Sequence, residues 1–393
     1  LRQSLLNSEK PSRLVTVHGM GGLGKTTACK ILANDAQVRQ QFHEGIFWIE
    51  FGQDYSADAV VDQLVHVTEL SGGLETAASI SEASTKRFER AKSCFQCWFE
   101  NRAVLFVVDN IWPSNDPLFN KWVSVLRDVP GNSSVVLHSS RSPLGKTNVA
   151  FVQLDEQEQR AIFLCHLGMT EDSDAYKSNM SSMAHILEAC AGLPLALAMA
   201  AALLQNDPNG WESLSSSLKH DLLNPAKCLL SDHHGLTSVF ETSLQWLGDQ
   251  KVQPGDCSLP WDEMYFSLCV LDRACPSAPV CVLALMWGIS IETAEEVCRT
   301  FVKLSLATLS GGEAAARKIM LHDLQFQYCS ERCKGSGSSS AIPSESAWHK
   351  KIVEALVVKR GTHGDHNDLP RMPTDTALTG LPVRAATADA VVE

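Results

Sequence analysis

The first part of the chain alternates short, unbroken apolar runs with stretches of helical periodicity. The runs are Leu14–His18 (LVTVH), Gly45–Phe51 (GIFWIEF), Ala103–Asp109 (AVLFVVD) and Ser134–His138 (SVVLH), with Phe151–Leu154 as a fifth strand. Helix-like stretches lie near residues 25–41, 57–70, 82–100 and 117–127. A strand buried on both faces reads as a continuous apolar run, and parallel strands need helical crossovers. This pattern predicts a parallel sheet with helices on both faces. Residues 71–84, rich in Gly, Ser and Ala, predict an exposed loop.

After Asp155 helical spacing takes over. Helices are expected to about Lys219, including one over Ser181–Leu204 that bends at Gly192-Leu193-Pro194. Proline removes an amide donor and fixes φ, which favours a bend or corner there. A break follows at residues 221–235. Residues 236–330 predict more helices and a short hairpin over Ala307–Leu321, turning at Ser310-Gly311-Gly312. The run KGSGSSS from Lys334 reads as a flexible linker. A short helix is expected from Ser344 to Lys359, and residues 360–393 are expected to be poorly ordered. The divisions that follow are 1–154, 155–230, 231–332, a linker 333–343, and 344–393.

Length agrees, since 393 residues at about 150 per domain imply two to three domains. A hydrophobic share of 45% suffices for a core without staples and excludes a wholly disordered, collagenous or fibrous chain. Charge narrows the partners. Against 33 basic residues stand 45 acidic ones, a net −12, so the mean field repels phosphate. General nucleic-acid or anionic-membrane binding is therefore disfavoured, although a local basic pocket could still hold a nucleotide. The 13 cysteines are odd in number and scattered, and no secretory leader opens the chain. They read as reduced cytosolic thiols, and Leu1 in place of an initiator methionine reads as a fragment or trimmed chain. The longest apolar run, Gly192–Leu204, falls short of the roughly 20 residues that span a bilayer. The expectation is a soluble, cytoplasmic protein.

The strongest chemical signal is Gly19-Met20-Gly21-Gly22-Leu23-Gly24-Lys25-Thr26-Thr27, which fits G-x4-G-K-[ST] between a strand and a helix. Glycines let backbone amides curl round phosphates, and the helix start points its positive end at them. Lys25 supplies a mobile cation and Thr26 a hydroxyl for Mg2+. Gly19, Gly21, Gly22, Gly24, Lys25, Thr26 and Thr27 are the candidate nucleotide contacts. The second signal is Leu105–Trp112, an apolar strand that ends at Asp109-Asn110. It sets a carboxylate at the sheet edge where ligands bind, and Asp109 would hold magnesium through water. The plain alternative is a strand followed by an Asp-Asn turn. Arg141, just past the fourth strand, can reach a γ-phosphate or be a surface arginine. Gly192-Leu193-Pro194 can be a helix corner, and Leu321-His322-Asp323-Leu324 a helix start.

The order of these motifs adds to each of them. GMGGLGKTT, LFVVDNIW, SSVVLHSSR, GLPLAL and LHDL, from about Leu14 to Tyr328, resemble the NB-ARC module of the STAND P-loop ATPases. That family includes plant disease-resistance and apoptosome-type proteins. The resemblance implies an α/β P-loop NTPase domain, a small helical domain and a winged-helix domain closing over ADP. It implies Lys25 and Thr26 on phosphate and magnesium, Asp109 and Asn110 at the Walker B position, and Arg141 as sensor. Pro194 would pack on adenine, and His322 would reach the β-phosphate and favour the closed ADP state. The implied activity is an ADP/ATP switch with slow hydrolysis that controls domain opening and self-association. A scaffold with structural nucleotide and a P-loop small-molecule kinase are the alternatives. An N-terminal effector and a C-terminal repeat sensor would be further parts of such a molecule. Two departures matter. Asn110 stands where the family often has a second acid, so it cannot accept a proton as a carboxylate would. Only 18 residues precede Gly19, fewer than the family's adenine-contacting segment needs.

Other candidates read as structural. Cys94 and Cys97 lie on a predicted amphipathic helix and are expected to be buried. His233 and His234 fall in a predicted loop. Residues 235–330 hold 6 basic and 11 acidic side chains, which argues for a switch element over a DNA-binding face. The Trp and Met residues of Trp261–Trp287 read as core.

Overall fold

A computed structural model describes residues 1–6, 14–50, 57–73, 87–111, 117–130, 135–140, 143, 147–222, 234–249, 259–271, 277–310, 317–334 and 345–361. The chain divides into two units. The first comprises Leu1–Asp155 with Leu193–Leu195, and the second Glu156–Gly192 with Ala196–Glu393.

In the first unit the strands are β1 (Leu14–His18), β2 (Gly45–Glu50), β3 (Val104–Ile111), β4 (Val135–Ser140) and β5 (Thr147–Ala150). The helices are α1 (Arg2–Leu6), α2 (Lys25–Ala33), α3 (Ala36–Gln41), α4 (Ala57–Leu70), α5 (Arg87–Trp98) and α6 (Pro117–Arg127). The sheet has the order β2-β3-β4-β1-β5, with every pairing parallel. Alternate residues divide between two cores. Val104, Phe106 and Val108 of β3 join α4–α6 side chains such as Leu64, Phe95 and Leu126. Leu105 and Val107 join α2–α3 side chains such as Cys29, Leu32 and Val38. This two-sided burial is why the strands read as unbroken apolar runs.

Three expectations need correction here. The helix near 25–41 is two helices, because Asp35 accepts the Gln37 and Val38 amides and starts α3 afresh. The fifth strand is Thr147–Ala150, upstream of the expected Phe151–Leu154. It pairs with β1 on one side only and alternates half-buried and exposed positions, so no apolar run marks it. Cys97 is exposed and Cys94 half-buried, where both were expected to be buried.

In the second unit α7 (Glu156–Leu167), α8 (Asp174–Ser178), α9 (Met180–Cys190), α10 (Pro194–Asn206) and α11 (Trp211–Leu222) come first. The helix expected over Ser181–Leu204 is thus two. Ala191 and Gly192 adopt φ of 51° and 70° and end α9, and Pro194 opens α10 rather than bending one helix. Proline suits a first helical position, where its missing N–H has no intrahelical partner to lose.

Then follow α12 (His234–Gly248), α13 (Trp261–Phe266), a 3-10 turn at Ser267–Val270, α14 (Val280–Trp287), α15 (Ile291–Lys303), α16 (Asp323–Lys334) and α17 (Glu345–Gly361). A small antiparallel sheet has the order β6-β8-β7, from Ser277–Pro279, Lys318–Met320 and Thr308–Leu309. The expected hairpin is β7–β8, although residues 311–316 at its tip lie outside the described residues. β6 was not expected; it is an edge strand of three residues ending in Pro279, which carries no amide donor. Trp261, Met264, Met286 and Trp287 are buried, as a core reading requires. Most of the 71–84 loop, residues 335–343 of the expected linker, His233 and the segment 362–393 lie outside the described residues, while Cys333 and Lys334, expected in the linker, continue α16. Among the described residues no helix is long and apolar enough to cross a membrane.

Candidate functional site

β1 lies between β4 and the edge strand β5, and its exit is held on both sides. The Gly19 amide donates to the Ser140 carbonyl of β4 at 3.2 Å, and the Phe151 amide donates to the His18 carbonyl at 2.7 Å. Gly19 has φ of 150°, and a Cβ there would lie 2.4 Å from the Phe151 carbonyl oxygen. The loop then turns through Gly22 and Gly24 at φ of 78° and 82°, conformations that cost a side-chain-bearing residue about 1 kcal/mol or more. Gly24 caps α2 without any side-chain hydrogen bond to the helix start. Amides at the head of this nine-residue helix are oriented as an anion site requires.

The side chains converge on the same end of the sheet. Lys25 Nζ donates to the carbonyls of Gly19 at 3.0 Å and Met20 at 2.6 Å. Thr26 Oγ1 donates to Asp109 Oδ1 at 3.1 Å, across 83 residues of sequence. Asp109 is 4% exposed. It sits at an irregularity in β3, where Val108 pairs with His138 and Ile111 with Ser140. Two residues of β3, Asp109 and Asn110, therefore oppose the single Ser139 of β4. A bulge of this kind re-aims side chains at a sheet end. A hydroxyl and a carboxylate in contact are hard oxygen donors, the set that magnesium prefers, so the residues present fit that ion.

One turn along α2, Cys29 is buried against this pair. Burial pushes its thiol up to about 12, the Asp109 carboxylate adds to the rise, and Lys25 opposes it. Cys29 is thus a protonated packing residue, not a nucleophile.

Arg141 and Trp112 lie outside the described residues, and Asn110 is described only as part of β3. Gly21 and Thr27 flank the loop at its half-buried and exposed positions. Pro194 is half-buried at the head of α10 and groups with the first unit. His322 is exposed just ahead of α16; its Nδ1 accepts the Leu324 amide at 3.2 Å, while Gln325 Oε1 accepts the His322 amide at 2.8 Å. That reciprocal pair is a helix-start device, the plain reading of this motif. The sequence reading missed Ser140 and Phe151, which hold the loop through backbone groups that no side-chain pattern reports.

Comparison with a model of the NB-ARC domain family gives a match over residues 1–153. The matched span takes in the loop, Thr26 and Asp109. The chain is 25% identical over 343 residues to apoptotic protease-activating factor 1 of Danio rerio, covering 84% of this chain and 25% of that protein. It is 26% identical over 237 residues to disease resistance protein RPP13 of Arabidopsis thaliana, covering 56% of this chain and 26% of that one. The chain thus spans about a quarter of the length of these relatives. Among solved structures, a Signal Transduction ATPase with Numerous Domains from Pyrococcus horikoshii, with a tetratricopeptide repeat sensor, has a similar fold. Its TM-score is 0.53 at 12% identity, over 91% of this chain and 44% of that one.

Proposed function

We propose that this chain is the ADP/ATP-binding switch of a cytoplasmic signalling NTPase. Nucleotide exchange and slow hydrolysis would control domain opening and self-association. The observation that carries the reading is the contact of Thr26 with the buried Asp109, at the head of an uncapped helix behind a glycine loop. Loop amides and Lys25 would bind the phosphates. Thr26 and Asp109 would hold magnesium, which supplies neutralisation of phosphate charge. Arg141 would sense the γ-phosphate. Residues 1–154, 155–230 and 231–332 would be the nucleotide, helical and winged-helix domains. The β6–β8 sheet and α14–α16 support the last assignment. Pro194 would contribute to the adenine site, and His322 would favour the ADP state. An effector and a repeat sensor would be its partner domains.

Asn110 favours slow chemistry, because an amide can orient a water but not take its proton. Taken to its limit, the same residue favours a second reading, a scaffold whose nucleotide is structural. Titration with a fluorescent ADP analogue and single-turnover ATP hydrolysis separate these. We expect binding that Lys25→Ala abolishes, and turnover far below the roughly 1–100 s⁻¹ of kinases. Binding without any hydrolysis favours the scaffold. Binding that survives Lys25→Ala, or rapid phosphoryl transfer to a small molecule, overturns the switch reading.

A further inference from the structure

The nucleotide reading leaves α17 unused. This helix packs against α14, the 3-10 turn Ser267–Val270 and α16. It follows α16 in the chain after residues 335–344. Residues 335–340 of that stretch are all Gly or Ser, so they bring no apolar side chain to bury.

One side chain dominates the docking of α17. Trp348 is 0% exposed and ranks with the largest fully buried side chains among the described residues. Around it on the helix, Ser346, Lys350, Val353 and Glu354 are exposed. Lys351 Nζ lies over the indole, 4.1 Å from the ring centroid. His349 pairs with Glu345 at 3.7 Å and Lys350 with Glu354 at 3.9 Å, both along the helix itself. The plug is imperfect at one atom. Trp348 Nε1 is buried and has no hydrogen-bond partner among the described residues. A donor buried without an acceptor gives up its bond to water and gains nothing in return. Trp287 of α14 shows the contrast, since its Nε1 donates to Ser267 Oγ at 2.9 Å. That hydroxyl, in the turn under α17, itself donates to the Met264 carbonyl at 2.6 Å and is fully engaged.

We propose that α17 is a releasable latch, which leaves the second unit as one body, drawing Trp348 from its seat while α13, α14 and α16 stay folded.

The two states differ in few terms. Docking buries one indole and forfeits one N–H bond to water; release restores that bond. The ion pairs of α17 survive release, because both partners of each leave together. A Gly-Ser tether keeps the freed helix at high effective concentration near its seat, so the contact re-forms. Release uncovers a defined surface. Cys269 lies in the turn and Cys333 near the end of α16, and both are buried. Glu345, at the head of α17, lies within electrostatic reach of both thiols. They therefore report the latch. This does not depend on the nucleotide reading.

The test follows deuterium exchange and N-ethylmaleimide alkylation in the full chain at graded, sub-denaturing urea, read by peptide mass spectrometry. The expected result is that α17 amides exchange at least about tenfold faster than those of α13, α14 and α16, with a weak urea dependence. Cys269 and Cys333 should be alkylated with that same weak dependence. In Trp348→Ala their alkylation should rise at least about tenfold, while Cys190, buried on α9, stays protected. Should this variant not fold, the wild-type exchange and alkylation decide alone. One steep urea dependence shared by α17, both thiols and α16 overturns the proposal, because α17 is then a fixed part of the core. Fast exchange of α17 with both thiols protected until global unfolding overturns it too, because the helix then only frays. So does unchanged alkylation in folded Trp348→Ala.

Discussion

At the residue scale, two glycines of the phosphate loop are constrained for different reasons, and their variants should rank accordingly. A methyl on Gly19 would stand 2.4 Å from the Phe151 carbonyl, so the loop or the end of β5 must move. A methyl on Gly24 meets nothing within 4 Å and strains only the backbone, at about 1 kcal/mol. Gly19→Ala should therefore lower the urea midpoint more than Gly24→Ala, and the reverse order would count against the packing at Phe151. Cys29 yields a pH prediction. Its thiol is raised from 9.0 to about 12 in the folded chain, so the unfolded chain gives up this proton first. The stability it contributes is full below about pH 9 and is lost as pH climbs toward 12. Cys29→Ala should flatten that part of the stability curve in denaturant titrations at graded pH. The candidate site was legible at this scale wherever chemistry resides in side chains: Lys25, Thr26 and Asp109 stand out in the sequence. Ser140 and Phe151 do not, because a carbonyl and an amide belong to every residue alike.

Helices and strands bring a different selection. β1 to β4 were legible because burial on both faces forces unbroken apolar runs. β5 was not, because an edge strand pairs on one side and tolerates Asn148 and Thr147. The break at Asp35 was hidden, since helical periodicity continues through it while a cap ends the hydrogen-bond ladder; the one at Ala191-Gly192 was legible in place, as a corner at Gly192-Leu193-Pro194, but not as a full stop between two helices. Caps also carry measurable stability. Ser290 Oγ accepts the Thr293 amide at 3.1 Å and starts α15. Ser290→Ala should cost about 1 kcal/mol and Ser290→Gly only a few tenths, read from chemical denaturation. Gly235 tests a helix-to-helix approach, since a Cβ there would lie 2.0 Å from the Ala189 carbonyl oxygen near the end of α9. Gly235→Ala should lower the melting temperature; an unchanged melt would mean that α12 does not pack there.

At the scale of the whole molecule, a net charge of −12 coexists with a loop suited to polyphosphate. The positive field is local, made by helix amides and Lys25. Duplex DNA should therefore fail to shift in gel assays at physiological salt, where an ADP analogue binds. The second unit has its own long-range tie. Tyr328 Oη donates to Glu241 Oε1 at 2.7 Å, Arg332 pairs with Glu241 at 3.1 Å, and Phe240 stacks on Tyr328 at 4.7 Å. Tyr328→Phe removes one charge-assisted bond and should cost about 1.5–3 kcal/mol by thermal or chemical denaturation. Finally, the rung from Phe151 to His18 sets an order of mechanical failure. β5 spans only four residues at the sheet margin, and its last contact with β1 lies directly under the phosphate loop. Tension on the chain leaving β5 would peel this margin first, and the loop would lose its footing while the central strands still stood.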